Sequence, residues 1–120
     1  MTIPQEHAAD RGYTAKVRRA APEEAAAFAE FNAHTVGRTD GAVPPKYREL
    51  IALGVALTTQ CQYCIATHTA TLKTLGASEE ELAETVFITA ALRAGGAFTH
   101  GLMAMRYFDQ NTAPVGAHTH

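Results

Sequence analysis

Tryptophan is absent from this chain, aromatic residues make up 8% of it and charged residues 18%. With 47% apolar residues in 120 positions, that low charge excludes a disordered chain and fits a single packed domain. Long β-branched runs are also missing while alanine is abundant, which favours helices over sheets. Nor is there a basic excess. The formal net charge is −2 and the isoelectric point near 6.3, so the electrostatic footprint of a nucleic-acid binder is lacking. Arg11, Lys16, Arg18 and Arg19 form a small N-terminal basic cluster, which reads as solvated charge.

The first thirty residues contain no apolar core of a signal peptide, and the longest apolar run, residues 50–57, falls well short of the roughly 20 residues that span a bilayer. The expected location is therefore cytoplasmic, with neither membrane nor nucleic acid as a partner. Cysteine is scarce as well. Only Cys61 and Cys64 occur, and in a reducing compartment such a lone Cys-x-x-Cys points to catalysis or metal binding rather than to a permanent staple.

Residues 1–20 show no apolar period and read as a flexible N-terminal arm, ahead of a helical domain over residues 21–110 and a tail over residues 111–120. Pro22 opens a helix whose positive end suits Glu23 and Glu24, and Gly37 ends it. Asp40, Gly41, Pro44 and Pro45 mark a loop before a second helix. From residue 50 to 57 that helix is apolar on every side, which predicts burial in the core or in a subunit interface. Thr58, Thr59 and Gln60 interrupt that apolar run and offer caps for a third helix, from about Cys61 to Leu75 with its stop at Gly76. Ser78 with Glu81 forms a capping box for a fourth, which should break at Gly95-Gly96 before a fifth carrying Phe98, Leu102, Met105 and Phe108. These last apolar positions suit core or interface packing.

Chemistry concentrates around the cysteines. A thiolate is the nucleophilic form of cysteine, and the first turn of a helix favours it through unpaired amides and the helix dipole. His68 follows Cys64 by one turn, where its imidazole can share the thiol proton. Glu49 opens the apolar run, where an unpaired carboxylate is costly, and a helix-turn-helix folds it back toward His68 as an acid–base relay. The plainer reading is two small buried hydrophobes, a satisfied histidine and a solvated glutamate. A structural zinc site needs about four ligands, and only His68 and His100 are available to join the thiols. His7, His34, His118 and His120 carry no assignable role.

Glu49, eleven intervening residues, Cys61-x-x-Cys64 and then His68 resemble the motif of alkylhydroperoxidase AhpD-like proteins in the carboxymuconolactone decarboxylase superfamily. Arg48-Glu49-Leu50-Ile51-Ala52-Leu53, the Leu75-Gly76-Ala77 helix end and Ala94-Gly95-Gly96-Ala97 extend the likeness over roughly residues 43–109. The resemblance implies an all-α fold of about five to six helices that assembles into trimers or hexamers, with the site near a subunit interface. It also implies roles: Cys64 attacks a peroxide, Cys61 resolves it to a disulfide, and Glu49 with His68 passes the proton. One position departs. The well-studied peroxidases of that family carry histidine where this chain has Tyr63, and a phenol of pKa about 10 donates a hydrogen bond but is a poor base.

The sequence therefore points to a thiol-dependent oxidoreductase that reduces hydroperoxides, or disulfides, through a dithiol/disulfide cycle of Cys61 and Cys64. It would use no cofactor or metal, but an external thiol or dithiol reductant of the lipoyl or thioredoxin-like kind. Tyr63 and His100 are accessory candidates, the latter from its own or a neighbouring chain. The alternatives are a carboxymuconolactone-decarboxylase-like enzyme and a non-catalytic helical oligomer that senses redox state or binds zinc.

Overall fold

A computed structural model describes residues 5–111, which form six helices and no strand. In chain order these are α1 (Gln5–Arg11), α2 (Thr14–Ala20), α3 (Pro22–His34), α4 (Pro45–Thr59), α5 (Gln62–Thr74) and α6 (Glu79–Gln110). The chain is thus all-α, as its composition suggests. No described helix is long and apolar enough to cross a membrane.

Local chemistry sets most boundaries. Pro22 and Pro45 occupy first-turn positions, where a missing N–H costs nothing. Ser78 and Glu81 close the capping box of α6 reciprocally: the Glu81 amide donates to Ser78 Oγ at 3.1 Å and the Ser78 amide to Glu81 Oε1 at 2.9 Å. Gly76, at φ 77°, supplies the left-handed residue after α5.

Three stretches differ from the sequence expectation. Residues 5–20 contain α1 and α2 where an arm without a period was expected. Alanine, glutamine, arginine and lysine favour helix there, and residues 8–20 are all exposed, so no buried stripe marks the period. Thr58 and Thr59 do not cap α5, whose N-cap is Cys61; they belong to α4, their hydroxyls bond back to the carbonyls of Gly54 and Ala56 at 3.1 and 3.4 Å, and Gln60 is the C-cap. Gly95-Gly96 does not break the chain either, and α6 runs unbroken for 32 residues. Neither glycine has positive φ, and a cost of about 1 kcal/mol each is too small to end a helix with strong formers on both sides. The tail expected from Asn111 onward lies outside the described residues apart from Asn111 itself, which caps α6.

Packing centres on α4, which lies against both α5 and α6, while α2 lies against α3. The buried apolar residues are Leu53 and Ala56 of α4 and Leu72 of α5, the last with no exposed surface. Burial of residues 50–57 is thus confined to one stripe within the chain, since Ile51 and Val55 are each 58% exposed. The second half of α6, residues 90–110, is exposed throughout.

Lys46 near the start of α4 pairs with Glu81 in the first turn of α6 at 2.9 Å. The hydrogen bond from the Ser78 amide, and then Lys46, hold the Glu81 carboxyl below its ordinary value of 4.5; the bond to Glu81 holds the Lys46 ammonium above 10.5. A depressed carboxyl stabilises the fold above its unfolded value, and that contribution is lost as pH falls through the folded one. A raised ammonium stabilises below its unfolded value and is lost as pH rises through the folded one. Urea midpoints measured against pH should therefore fall below about pH 4.5 in the wild type. Glu81→Gln should remove this group's contribution at both ends. Lys46→Met should remove the alkaline loss and only part of the acid one, because the Ser78 amide remains.

Candidate active site

The site is built where α4 turns into α5. Gln60 takes the left-handed conformation, φ 58°, and its amide and that of Cys61 both return to the Ala56 carbonyl. A non-glycine residue in this conformation carries a cost, which the surrounding structure must sustain. The connection is only two residues long, so α5 doubles back along α4 with Cys61 as its N-cap.

Cys61 Sγ accepts the Cys64 amide at 3.3 Å, the role that serine or aspartate usually fills at this position. Cys61 and Cys64 are joined in a disulfide with their Cα atoms 5.3 Å apart, so the structure presents the oxidised form of the pair. Both residues are half-buried.

One turn beyond Cys64, His68 Nδ1 lies 2.5 Å from Glu49 Oε2. An ionised carboxylate has no proton to give, so opposite it Nδ1 is the donor. Glu49 is 8% exposed, making it the buried charged residue among those described. Its burial is compatible with an ionised state because His68 supplies a donor.

Two clefts meet at Cys64 and His68. The first, of about 390 Å³, is apolar and is lined by Val36 and Val43 of the loop between α3 and α4 and by Ile51, Ala52, Val55 and Ala56 of α4. The second, of about 730 Å³, is more polar and is lined by Asp10, Arg11, Thr14, Asn32, Tyr63 and Thr67 together with Phe28. Cys64 and His68 line both, whereas Cys61 lines neither. Of the two cysteines, Cys64 is the one that lines the clefts.

Of the residues singled out in the sequence, Glu49, Cys61, Cys64 and His68 come together. Tyr63 lies beside them but is engaged elsewhere, its hydroxyl donating to the Asp10 carboxylate of α1. Arg11 adds to that contact by donating to Thr67 Oγ1 at 2.6 Å and to the Tyr63 carbonyl at 3.3 Å, which fixes α1 against α5. Arg11 is thus more than a member of a solvated basic cluster. His100 is not brought to the site within one chain: it sits on the exposed half of α6 and lines neither cleft. His34 is exposed near Glu30, 3.9 Å away, while His118 and His120 lie outside the described residues.

Sequence reasoning missed Asp10, Arg11, Thr67 and Arg48. For Arg48 a signal was present. It opens the same apolar run as Glu49, so its guanidinium needs acceptors for the same reason that the carboxylate needs a donor. No comparable signal marks Asp10, whose partner lies 53 positions away.

The chain is similar to several known proteins. An uncharacterised protein of the cox locus of Paracoccus denitrificans is 37% identical over 71 residues, 59% of this chain and 64% of that protein. An uncharacterised protein of Cupriavidus necator is 33% identical over 70 residues, 58% of this chain and 62% of its own length. The matches thus span a little under two thirds of each of these relatives. Among solved structures, the apo form of a carboxymuconolactone decarboxylase family protein from Legionella pneumophila superimposes with a TM-score of 0.64 at 32% identity, covering 83% of this chain and 88% of that one. The carboxymuconolactone decarboxylase family model itself matches residues 22–107, from the start of α3 almost to the end of α6, and the chain belongs to that family.

Proposed function

We propose that this chain is a thiol-dependent oxidoreductase that reduces hydroperoxides by cycling Cys61 and Cys64 between dithiol and disulfide. The observation that carries this reading is the Cys61–Cys64 disulfide at a helix start, one turn from a histidine whose Nδ1 is tied to a buried carboxylate. In the reduced enzyme, His68 Nε2 takes the Cys64 proton. The Cys64 thiolate attacks the outer oxygen of ROOH; the O–O bond breaks, and the alkoxide leaves as ROH with the proton that His68 returns. Cys64 is left as a sulfenic acid. The Cys61 sulfur then attacks it, the S–S bond forms and water departs. An external thiol or dithiol, of the lipoyl or thioredoxin-like kind, supplies two electrons and two protons to regenerate the dithiol. Glu49 holds the His68 ring in the required tautomer and stabilises its imidazolium while it holds the proton. Since Asp10 engages the Tyr63 hydroxyl, Glu49 and His68 are the relay in this reading, and Tyr63 anchors α1.

The proposal includes a homo-oligomer, trimeric or hexameric. It is supported by the large apolar side chains that one chain leaves in water along α6, among them Phe87 at 74%, Phe98 at 74% and Phe108 at 80%. Apolar exposure on that scale marks an interaction surface. Sedimentation should show an assembly of at least three chains; a stable monomer would exclude this part of the reading.

Reduced protein mixed with cumene hydroperoxide should lose both thiols per chain. Cys61→Ser should stop at a Cys64 sulfenic acid, trapped by dimedone, and Cys64→Ser should show no turnover. Thiols that persist in the wild type would sink the peroxidase assignment. Glu49→Gln preserves shape but removes the charge that steadies the imidazolium, so its rate should fall by about 10²-fold with the same final thiol count.

A further inference from the structure

Arg48 is adjacent to Glu49 on α4 yet serves neither the disulfide nor the relay. Its Nη1 donates to the Thr35 carbonyl at 2.8 Å and its Nη2 to the Val43 carbonyl at 3.2 Å. Thr35 follows the last turn of α3 and Val43 precedes Pro44, so one guanidinium holds both ends of the loop over residues 35–43. Through Thr35, Val36 and Val43 that loop lines the apolar cleft, and Arg48 lines it as well. Residues of α4 complete the lining together with Cys64 and His68 of α5. A planar fork with fixed donors spans two carbonyls in a way that a lysine ammonium does not. The loop also approaches Arg48 closely at Gly41: a Cβ there would collide with Nη2, the nitrogen already committed to Val43.

We propose that Arg48 is a positioning residue that fixes the loop wall of the apolar cleft, and thereby makes Cys64 selective for hydroperoxides with a bulky apolar organic group over hydrogen peroxide. The proposal rests on the peroxidase reading, and it assigns to the clasp a specificity that the four residues around the disulfide do not explain. A small peroxide needs only the sulfur and the relay. An aryl or alkyl group needs a wall to rest against, and that wall keeps its position only while both carbonyls are held. Positioning of this kind changes apparent affinity for the bulky substrate and leaves the chemical step at Cys64 intact.

The test compares wild type with Arg48→Lys and with the gentler Gly41→Ala, which displaces Nη2 without removing the guanidinium; thermal unfolding shows that each is folded. For cumene hydroperoxide, KM should rise about tenfold in both variants while kcat is retained. For hydrogen peroxide, neither constant should change. Equal losses with the two peroxides, or a loss confined to kcat, would overturn the proposal. A second arm does not depend on peroxide turnover. With Cys61→Ser as background, the Cys64 thiol is alkylated with N-cyclohexylmaleimide and with iodoacetamide, and the ratio of rates should drop in both clasp variants through the bulky reagent alone. An unchanged ratio refutes the role of Arg48. A lowered ratio in a protein that reduces neither peroxide supports that role and sinks the peroxidase reading instead.

Discussion

The bond between Glu49 and His68 is the constraint around which this molecule is arranged. It joins α4 to α5 at 2.5 Å through a carboxylate that is 8% exposed. Without a donor opposite, that carboxylate would be a buried charge with no compensation, a severe penalty for a domain whose buried apolar residues are Leu53, Ala56 and Leu72. The two helices are joined by Gln60 and Cys61 alone, so the bond and the left-handed turn determine together how α5 lies against α4. Once α5 is placed, Cys64 and His68 are one turn apart and line the same clefts, and Cys61 is left to cap the helix from behind.

One turn of α4 works in two directions. Glu49 faces α5 and ties down the histidine, while its neighbour Arg48 reaches the loop between α3 and α4 and bonds the carbonyls of Thr35 and Val43. Near the start of the same helix, Lys46 pairs with Glu81, which also completes the cap of α6. The first turns of α4 thus carry the polar links that fix its neighbours, and Leu53 and Ala56 farther along supply the apolar contact. Directional bonds define position where a small core does not, because a hydrogen bond weakens steeply with angle whereas apolar contact tolerates sliding.

The disulfide at the start of α5 follows from the same arrangement. A cysteine at an N-cap presents its sulfur to the amide three residues on, and here that amide belongs to Cys64 itself. The cap and the cross-link therefore occupy the same turn.

Much of this was legible in the sequence. The all-helical class, the proline starts at Pro22 and Pro45, the Ser78/Glu81 capping box, the stop at Gly76 and the grouping of Glu49, Cys61, Cys64 and His68 all arise from short-range chemistry between residues a few positions apart, or from a carboxylate that needs a partner. Local rules failed where the outcome was a balance. Gly95-Gly96 reads as a break, but two modest penalties do not end a helix that continues favourably on both sides. Only the folded chain decided that Asp10 and Arg11 meet Tyr63 and Thr67, that Arg48 spans the loop over residues 35–43, that His100 stands away from the site within one chain, and that two clefts of different polarity converge on one sulfur. Those pairings join residues from 5 to 56 positions apart, and the longest of them exist only after the helices have closed on one another. Sequence spacing specifies which side chains share a helix face; it does not specify which other face they will meet.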